Sequence, residues 1–239
     1  MSRTGGALLA AVSAAVLSGC GSSDTTAADA AGLPPLGPVV AAAPTTGAPI
    51  TEATTLRERL LDDGDLPAGM VQAAASDPAS SATAGQAHTE PAECGRILQP
   101  LARQRPDAST RSAVAFNGPN FSSIDIDAAT YSNDKLPSAF ADFQSVLRRC
   151  GKYSGTDADE TSIDYRLGGL AQPSVGDAST AYQLRLTSEG FTLVSLVGLV
   201  QVGNTLVQVS VTAPESVDPG VLEDVTAAQV RRLSAPATP

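Results

Sequence analysis

The sequence predicts an α+β domain, in which helices pack on a twisted antiparallel sheet and one disulfide bond holds the fold. Several segments of strand length alternate apolar with polar residues, and short turns join the closest pairs of them. These segments outnumber the segments with helical periodicity, which is typical of an antiparallel sheet with helices on it. Two of the three cysteines lie on the apolar stripes of predicted helices.

The N-terminus has the pattern of a secretory leader. Arg3 and the free amine form a short positive segment, and residues 5–16 are uncharged and rich in Ala, Leu and Val. The sequence Leu17-Ser18-Gly19-Cys20 then resembles the lipobox of bacterial lipoproteins, which implies that Cys20 is acylated, for example with palmitate, and becomes the first mature residue. We predict a signal peptide over residues 1–19 and a protein lipid-anchored on the extracytoplasmic face of the cell membrane. An ordinary secretory signal with a chance cysteine is the alternative.

We predict that residues 20–51 form a tether, which connects this anchor to a folded domain over residues 52–235. The stretch is rich in Pro, Ala, Gly and Ser, and its five prolines between residues 34 and 49 exclude a long helix. As a flexible coil, about thirty residues would reach roughly 30 Å. The tether would therefore lift the domain away from the bilayer.

Two helical segments are predicted before the first strand. Thr55 and Glu58 fit a capping box, which predicts a short helix that ends at the acidic turn Asp62–Asp65. That turn lacks the alternating ligands and the distal glutamate of an EF-hand loop. Residues 73–87 are predicted to be a long loop.

A second helix is predicted to begin with Thr89 as its cap and with a proline in its first turn. Its apolar stripe would consist of Cys94, Ile97, Leu98 and Leu101, and Pro100 should bend or end it.

The strongest helical pattern covers residues 136–150. Leu136, Phe140, Phe143, Leu147 and Cys150 recur every three or four residues along one face, and Gly151 follows as a stop signal. Because Cys20 is assigned to the lipid, Cys94 and Cys150 remain as a pair in an exported chain. We predict that they form a disulfide bond between two helices. Two buried thiols are the alternative.

The strand segments predict two hairpins. Residues 112–116 and 122–131 flank a turn-rich Asn-Gly-Pro-Asn sequence, and residues 191–202 and 205–211 flank Gly203-Asn204. The second pair lacks charge between Phe191 and Ala213, so a membrane span is the alternative, but the central Gly-Asn pair favours a hairpin. Two more strands are centred on Tyr165 and Leu184. A final helix is predicted after Asp218 as N-cap, with Leu222, Val225 and Leu233 inward.

Composition excludes several classes of function. The formal net charge is -10, and Lys and Arg are not clustered beyond pairs, so nucleic acid should be repelled. The chain has no tryptophan and only nine Phe and Tyr residues, which disfavours stacking sites for bases or sugars.

Catalytic and cofactor-binding motifs are missing from the sequence. The single histidine, His88, follows a stretch rich in Ala, Ser, Thr and Gly and is predicted to be solvated. We therefore expect no metal site. Ser132 and Lys135 match S-x-x-K in letters, but the accompanying K-T-G and S-D-N motifs are absent, and we predict a turn into the next helix. No nucleotide fingerprint occurs. We therefore expect no cofactor and no catalytic residues.

The order of several motifs resembles the extracellular sensor-domain family of the mycobacterial serine/threonine kinase PknH and of related actinobacterial lipoproteins. These motifs are Asp65-Leu66-Pro67-Ala68-Gly69, the helix with Cys94, the helix that ends at Cys150, Val175-Gly176-Asp177 before a strand, the hairpin with Gly203-Asn204, and the terminal helix. The kinase domain of that family is absent, and its sensor domain has two disulfides where this chain can form one. The resemblance implies a twisted antiparallel sheet with helices around a cleft, and a role in binding or sensing.

Three classes of function remain open. We favour a lipid-anchored binding or sensor domain that captures a small molecule, a lipid or a cell-wall component and does not catalyse. The alternatives are an interaction lipoprotein that docks on a membrane or cell-wall partner without a small ligand, and a hydrolase that uses carboxylates. We predict ligand contacts at Asp164, Arg166 and Arg185, where the loops after Gly151 and Gly168-Gly169 approach the sheet. For each of the three, a solvent-facing strand residue is the alternative.

Overall fold

A nine-stranded antiparallel sheet organises the domain in the computed structural model, which describes residues 32–74, 88–104 and 107–235. Within these ranges the strand order is β1-β3-β4-β9-β8-β7-β6-β5-β2. The strands are β1 (Val71–Gln72), β2 (His88–Glu90), β3 (Thr110–Asn117), β4 (Ser123–Thr130), β5 (Lys152–Thr156), β6 (Ser162–Gly169), β7 (Ala178–Ser188), β8 (Phe191–Val202) and β9 (Thr205–Pro214). The helices are α1 (Ala53–Glu58), α2 (Leu101–Gln104), α3 (Leu136–Arg149) and α4 (Pro219–Ser234), with 3₁₀ helices at Asp63–Asp65 and Ala92–Leu98. The predicted α+β fold is confirmed.

Helices cover the two faces of this sheet over different halves. On one face, named the α3 face, α3 and the 3₁₀ helix Ala92–Leu98 pack mainly against apolar side chains of β5, β6, β7 and β8. On the other, named the α4 face, α1 and α4 pack against β3, β4, β8 and β9. Because alternate side chains of a strand point to opposite faces, β8 and β9 supply both cores. This double burial explains why residues 191–213 carry no charged side chain. The antiparallel pairing of β8 with β9 confirms the predicted hairpin. None of the helices among the described residues is long and apolar enough to cross a bilayer.

The predicted disulfide bond is confirmed. Cys94 lies in the 3₁₀ helix, and Cys150 caps the C-terminus of α3; their Cα atoms are 5.6 Å apart. Both cysteines are fully buried, beside the stacked rings of Tyr153 and Tyr165, whose centroids are 4.6 Å apart. The bond thus fixes α3 to the segment that precedes the first long hairpin.

The two N-terminal helices differ from prediction in their caps and type. Glu52 is the N-cap of α1, so the predicted capping box of Thr55 and Glu58 is wrong. Thr89 lies in β2 rather than at a helix cap, and the helix that follows begins after Pro91 and is 3₁₀. With three residues per turn, Cys94 and Ile97 fall on one line and are buried, whereas Leu98 is 38% exposed.

The segments near Gly151 and residue 73 are the other differences. The loop predicted after Gly151 is instead the strand β5 (Lys152–Thr156), which pairs with β6 along its whole length. Most of the predicted loop over residues 73–87 lies outside the described residues. The signal peptide and Cys20 also lie outside them.

Residues 33–50, named the arm, are extended and bound to the domain. The compact unit accordingly begins at Leu33. Val40 N–H donates to Gln144 Oε1 and Gln144 Nε2 donates to the Val40 carbonyl, both at 2.8 Å. Gln201 makes the same two-way contact with Ala43, at 2.8 and 2.9 Å. The extended conformation agrees with the proline content, but these contacts mean that only the chain before Leu33 remains to act as a tether.

The arm crosses from one face of the sheet to the other around β6. The Gly169 N–H donates to the Pro34 carbonyl at 2.7 Å, at the point where β6 extends past β5. A Cβ at Gly168 would lie 2.4 Å from Leu33 Cβ, and one at Gly169 would lie 2.2 Å from the Pro35 oxygen. The two glycines are therefore required by the close approach of the arm.

Candidate functional site

A cleft of about 840 Å³ opens on the α3 face, over the half of the sheet that α3 leaves uncovered. Residues of β3, β4, β9, β8 and β7 form its floor, and the end of the 3₁₀ helix with Arg103 of α2 forms one wall. Its volume lies within the range of small-molecule sites. A second pocket, between β7, β8 and α4, holds only about 60 Å³.

One half of the cleft floor is polar. Asp125 lies opposite Ser210, and Asp127 lies opposite Gln208, in the β4–β9 register. Ser195 continues this surface on β8, where its hydroxyl accepts a hydrogen bond of 3.0 Å from Thr212 Oγ1. The polar floor therefore spans three neighbouring strands.

The other half of the cleft is apolar. On β7 and β8 its floor consists of Tyr182, Leu184, Leu186, Leu193 and Val197, and Ile97 and Leu98 face it from the wall. The partial exposure of Leu98, which is unexpected for a core residue, is explained by this position. A ligand that matches the whole cleft would combine a polar group with an apolar group.

One buried polar atom at the cleft lacks a partner. Gln208 Oε1 is buried and makes no hydrogen bond with the described residues. A buried acceptor left unsatisfied costs about 1–3 kcal/mol. A donor group on a ligand, placed in the polar half, would satisfy it.

Burial perturbs two titratable groups of the cleft floor, since it raises the pKa of the Tyr182 phenol and of the Asp125 carboxyl. Burial against the sheet raises the pKa of Asp125 above its ordinary value of 3.8, although part of the side chain reaches solvent. The Ser123 hydroxyl donates to this carboxylate at 3.0 Å and partly opposes the rise in its pKa. The surroundings of Asp125 therefore disfavour its charged form relative to a carboxyl in water.

We expect Asp125→Asn to raise the free energy of unfolding at neutral pH. Because the pKa is raised in the folded state, the unfolded chain loses this proton first as pH rises, and the wild type loses stability between the ordinary and the raised pKa. The advantage of the variant should therefore vanish near pH 3, where both side chains are neutral. Urea unfolding at both pH values measures it. Ser123→Ala should have the opposite sign at neutral pH, and an advantage of Asp125→Asn that is equal at both pH values would contradict the prediction.

The cleft carboxylates do not form the arrangement of a glycosidase. Asp125 and Asp127 lie two positions apart on the same face of one strand, and hence on one side of the cleft, whereas a glycosidase needs carboxylates that flank the scissile bond. Asp125 is exposed, whereas Asp127 is only 7% exposed. Across the described residues, no group of three or more His, Cys, Asp or Glu side chains could hold a metal ion.

The other residues considered for catalysis lie outside the cleft. His88 lies on β2, exposed and paired with Thr156. Ser132 donates to Asp134 in the turn before α3, as predicted for a turn residue.

The three charged residues predicted as ligand contacts also lie outside the cleft. Arg166 and Arg185 are directly opposite each other on β6 and β7, and Asp164 is two positions along β6. Their neighbours Tyr165, Leu167 and Leu184 pack with α3, so the three charged side chains belong to the α4 face. The structure brings them together, but on the side of the sheet opposite the cleft. Their role as ligand contacts stays a prediction.

The fold and the cleft together define a class of protein: an antiparallel α+β domain whose sheet is left half uncovered around a cavity of ligand size. The solved extracellular domain of PknH from Mycobacterium tuberculosis is similar, with a TM-score of 0.59 and 11% identity over 79% of this chain and 98% of that chain. An uncharacterised protein from Mycobacterium smegmatis matches at a TM-score of 0.41 and 12% identity, over 77% of this chain and 96% of that chain.

At these identities the likeness to the PknH domain establishes the fold alone, and it confirms the predicted PknH-like fold. The weaker match carries no argument. No family model matches the sequence, and no curated protein is similar to it.

Proposed function

We propose that this protein is a lipid-anchored, extracytoplasmic binding or sensor domain that holds an amphipathic small molecule in the cleft and does not catalyse. The observation that supports this function most directly is the cleft itself, which divides into a polar and an apolar half and contains the unsatisfied Gln208 oxygen. The disulfide bond fits an oxidising compartment. The lipobox supplies the anchor at Cys20.

The chemistry of the cleft restricts the ligand. Arg57 and Arg103 also line the cleft, but the charged groups of its floor are carboxylates. On this floor Asp125 and Asp127 disfavour an anionic group, whereas hydroxyl, amide or cationic groups can donate to them and to Gln208 Oε1. The leucines of β7 and β8 match an acyl or aryl group. We infer a neutral or cationic amphiphile, such as a lipid or a fragment of the cell envelope.

Native mass spectrometry of protein extracted from its own membrane tests this function. We expect wild type to carry both an acyl mass on Cys20 and a co-purifying ligand. Ser210→Phe should displace the ligand by filling the cleft floor, while the matched Ser154→Phe on the α4 face should retain it. The neutral dye Nile red should likewise fluoresce with wild type and Ser154→Phe only. A ligand that remains bound to Ser210→Phe would contradict the proposal.

Two exposed phenylalanines favour protein docking as the second candidate function. Phe121 in the β3–β4 turn is 85% exposed and Phe191 at the start of β8 is 48% exposed, and the strand register places both at the same end of the sheet. Exposed aromatic side chains are typical of interaction sites. An extracted protein that carries no small ligand, and that loses a cross-linked membrane partner in Phe121→Ser/Phe191→Ser, would favour this alternative over the first.

A further inference from the structure

Three cations form a row across the α4 face. Lys152 on β5 lies opposite Arg166 on β6, and Arg166 lies opposite Arg185 on β7. Side chains directly opposite in an antiparallel pair have Cβ atoms about 5 Å apart. The row ends at Val194 of β8, which packs in the core under α1 and α4. It therefore runs from the flank of the helical layer toward the sheet edge.

The positive charges of this row are not paired with acidic side chains of the described residues. Within the described ranges, the side chains of Lys152, Arg166 and Arg185 make no hydrogen bond or ion pair, and the buried Nε of Arg185 has no acceptor. Lys152 and Arg166 are exposed, and Arg185 is half-buried. Asp164 lies on the same face, two positions from Arg166, and forms no ion pair with any of them. Like charges placed directly opposite destabilise a sheet, so an external anion would relieve the repulsion.

The N-terminal end of the arm lies on the same face as the row. A Cβ on Gly168 would contact Leu33, and Gly168 is two positions from Arg166 on the same side of β6. Two positions along a strand are about 6.6 Å. The chain that leads to the predicted anchor at Cys20 thus leaves the domain beside the row.

The segment between the predicted anchor at Cys20 and the arm is short compared with the size of the domain. Thirteen residues, the number from Cys20 to residue 32, would span at most about 45 Å if fully extended, and roughly 20 Å if they behaved as a flexible coil. A compact domain of about 200 residues has a radius of gyration of roughly 17 Å, which corresponds to a diameter of about 40 Å. The surface around Leu33 is therefore held within about one domain diameter of the predicted anchor.

We propose that the row of Lys152, Arg166 and Arg185 docks the domain on anionic lipid headgroups of the membrane that anchors it. The proposal rests on the lipid anchor of the proposed function. The guanidinium groups match phosphate oxygens, and cations near an anionic bilayer bind it electrostatically. The remainder of this acidic protein, with its net charge of -10, is repelled by the same surface. The membrane attracts the row and repels the rest of the surface. The domain is therefore oriented with its α4 face toward the membrane, and the cleft on the α3 face points away from it.

Vesicle sedimentation of the full chain carrying Cys20→Ser tests the docking surface without the anchor. We compare Lys152→Gln/Arg166→Gln/Arg185→Gln with the control Lys135→Gln/Arg148→Gln/Arg149→Gln, which has the same net charge but loses exposed cations of α3 and its N-cap instead. Each docking cation contributes roughly fivefold, so the row variant should bind vesicles of phosphatidylglycerol and phosphatidylcholine on the order of 100-fold more weakly than the control. Binding to vesicles of phosphatidylcholine alone reports the contribution of the N-terminal leader. That contribution is subtracted from the binding of every variant.

An equal loss in both variants, or no preference for phosphatidylglycerol, would overturn the proposal. So would a row variant that binds the vesicles normally but no longer binds soluble polyphosphate, since the row would then serve an anionic polymer. Because every variant lacks Cys20 and retains the cleft, these outcomes are independent of acylation and of ligand binding.

Tryptophan quenching tests the orientation, since the natural chain has no tryptophan. Ser154→Trp places an indole on the α4 face beside the row, and Ala141→Trp places one on the exposed side of α3. With vesicles that contain brominated phosphatidylglycerol, the indole of Ser154→Trp should be quenched and that of Ala141→Trp should not. Equal quenching of both, or stronger quenching of Ala141→Trp, would overturn the proposal.

Discussion

Removal of the disulfide bond by Cys94→Ala/Cys150→Ala should lower the free energy of unfolding by about 4 kcal/mol. The bond closes a loop with a sequence separation of 56, and the chain-entropy relation for a loop of this length gives that value. Both cysteines are fully buried, so loss of their sulfur atoms adds a small packing cost. For a domain of this size the melting temperature should fall by roughly 10 °C.

Urea unfolding with Cys20→Ser as the control measures this effect. The control keeps the disulfide bond and changes the third cysteine, so its stability should equal that of the wild type. The single Cys94→Ala variant should lose nearly as much stability as the double variant, because either substitution opens the loop. A loss below about 1 kcal/mol in the double variant would contradict the prediction and would mean that the packing of α3 alone holds the 3₁₀ helix in place.

The sequence predicts well those features that depend on the local spacing of apolar residues. The α3 stripe from Leu136 to Leu147 repeats at helical spacing, and the strand around Tyr165 alternates at spacing two, so burial follows directly from each pattern. The disulfide bond follows from cysteine parity together with export. The 3₁₀ helix at Cys94 was harder to predict, because spacings of three fit both helix types and only the neighbouring prolines distinguish them.

The cleft was harder to predict because it depends on which half of the sheet the helices leave uncovered. Gln208, Ser210 and Thr212 alternate with three valines of β9, and this pattern indicates that one face of the strand is not packed. Asp125 and Asp127 alternate with isoleucines on β4 in the same way, a pattern that is also typical of an ordinary solvent-facing strand. The pairing of β4 with β9 joins the two polar runs into one surface, and that pairing is long-range.

The arm was not predictable from composition for a related reason. Pro-rich and Ala-rich stretches are typical of linkers, and residues 33–50 contain nothing that marks them as bound. The signal lies instead in Gln144 and Gln201, two amides that are 3% and 0% exposed on otherwise apolar elements. A buried glutamine requires partners, and here the partners are backbone groups more than a hundred residues away.

Gln144→Leu/Gln201→Leu should release the arm from the domain. Leucine keeps the apolar volume but cannot hydrogen-bond, so the N–H and C=O groups of Val40 and Ala43 would be left unsatisfied against the protein. Exposure to water relieves that penalty, and undocking is therefore favoured. At about 1 kcal/mol for each of the four hydrogen bonds, the free energy of unfolding should fall by about 4 kcal/mol.

Elastase digestion and hydrogen exchange report the release directly. The Val39–Ala43 sequence offers elastase the small apolar residues it accepts, and the amides of Val40 and Ala43 should lose their protection in the double variant. The matched control is Gln172→Leu, which removes an exposed glutamine that bonds to the Pro219 carbonyl, far from the arm. An arm that stays protected in the double variant would show that Leu36, Val40 and Ala42 dock it by packing alone. Release would free only the middle of the arm, because the Gly169 N–H still donates to the Pro34 carbonyl and the Thr130 hydroxyl still donates to the Ile50 carbonyl. The docked arm therefore contributes to the stability of the domain and fixes the path of residues 33–50 across it.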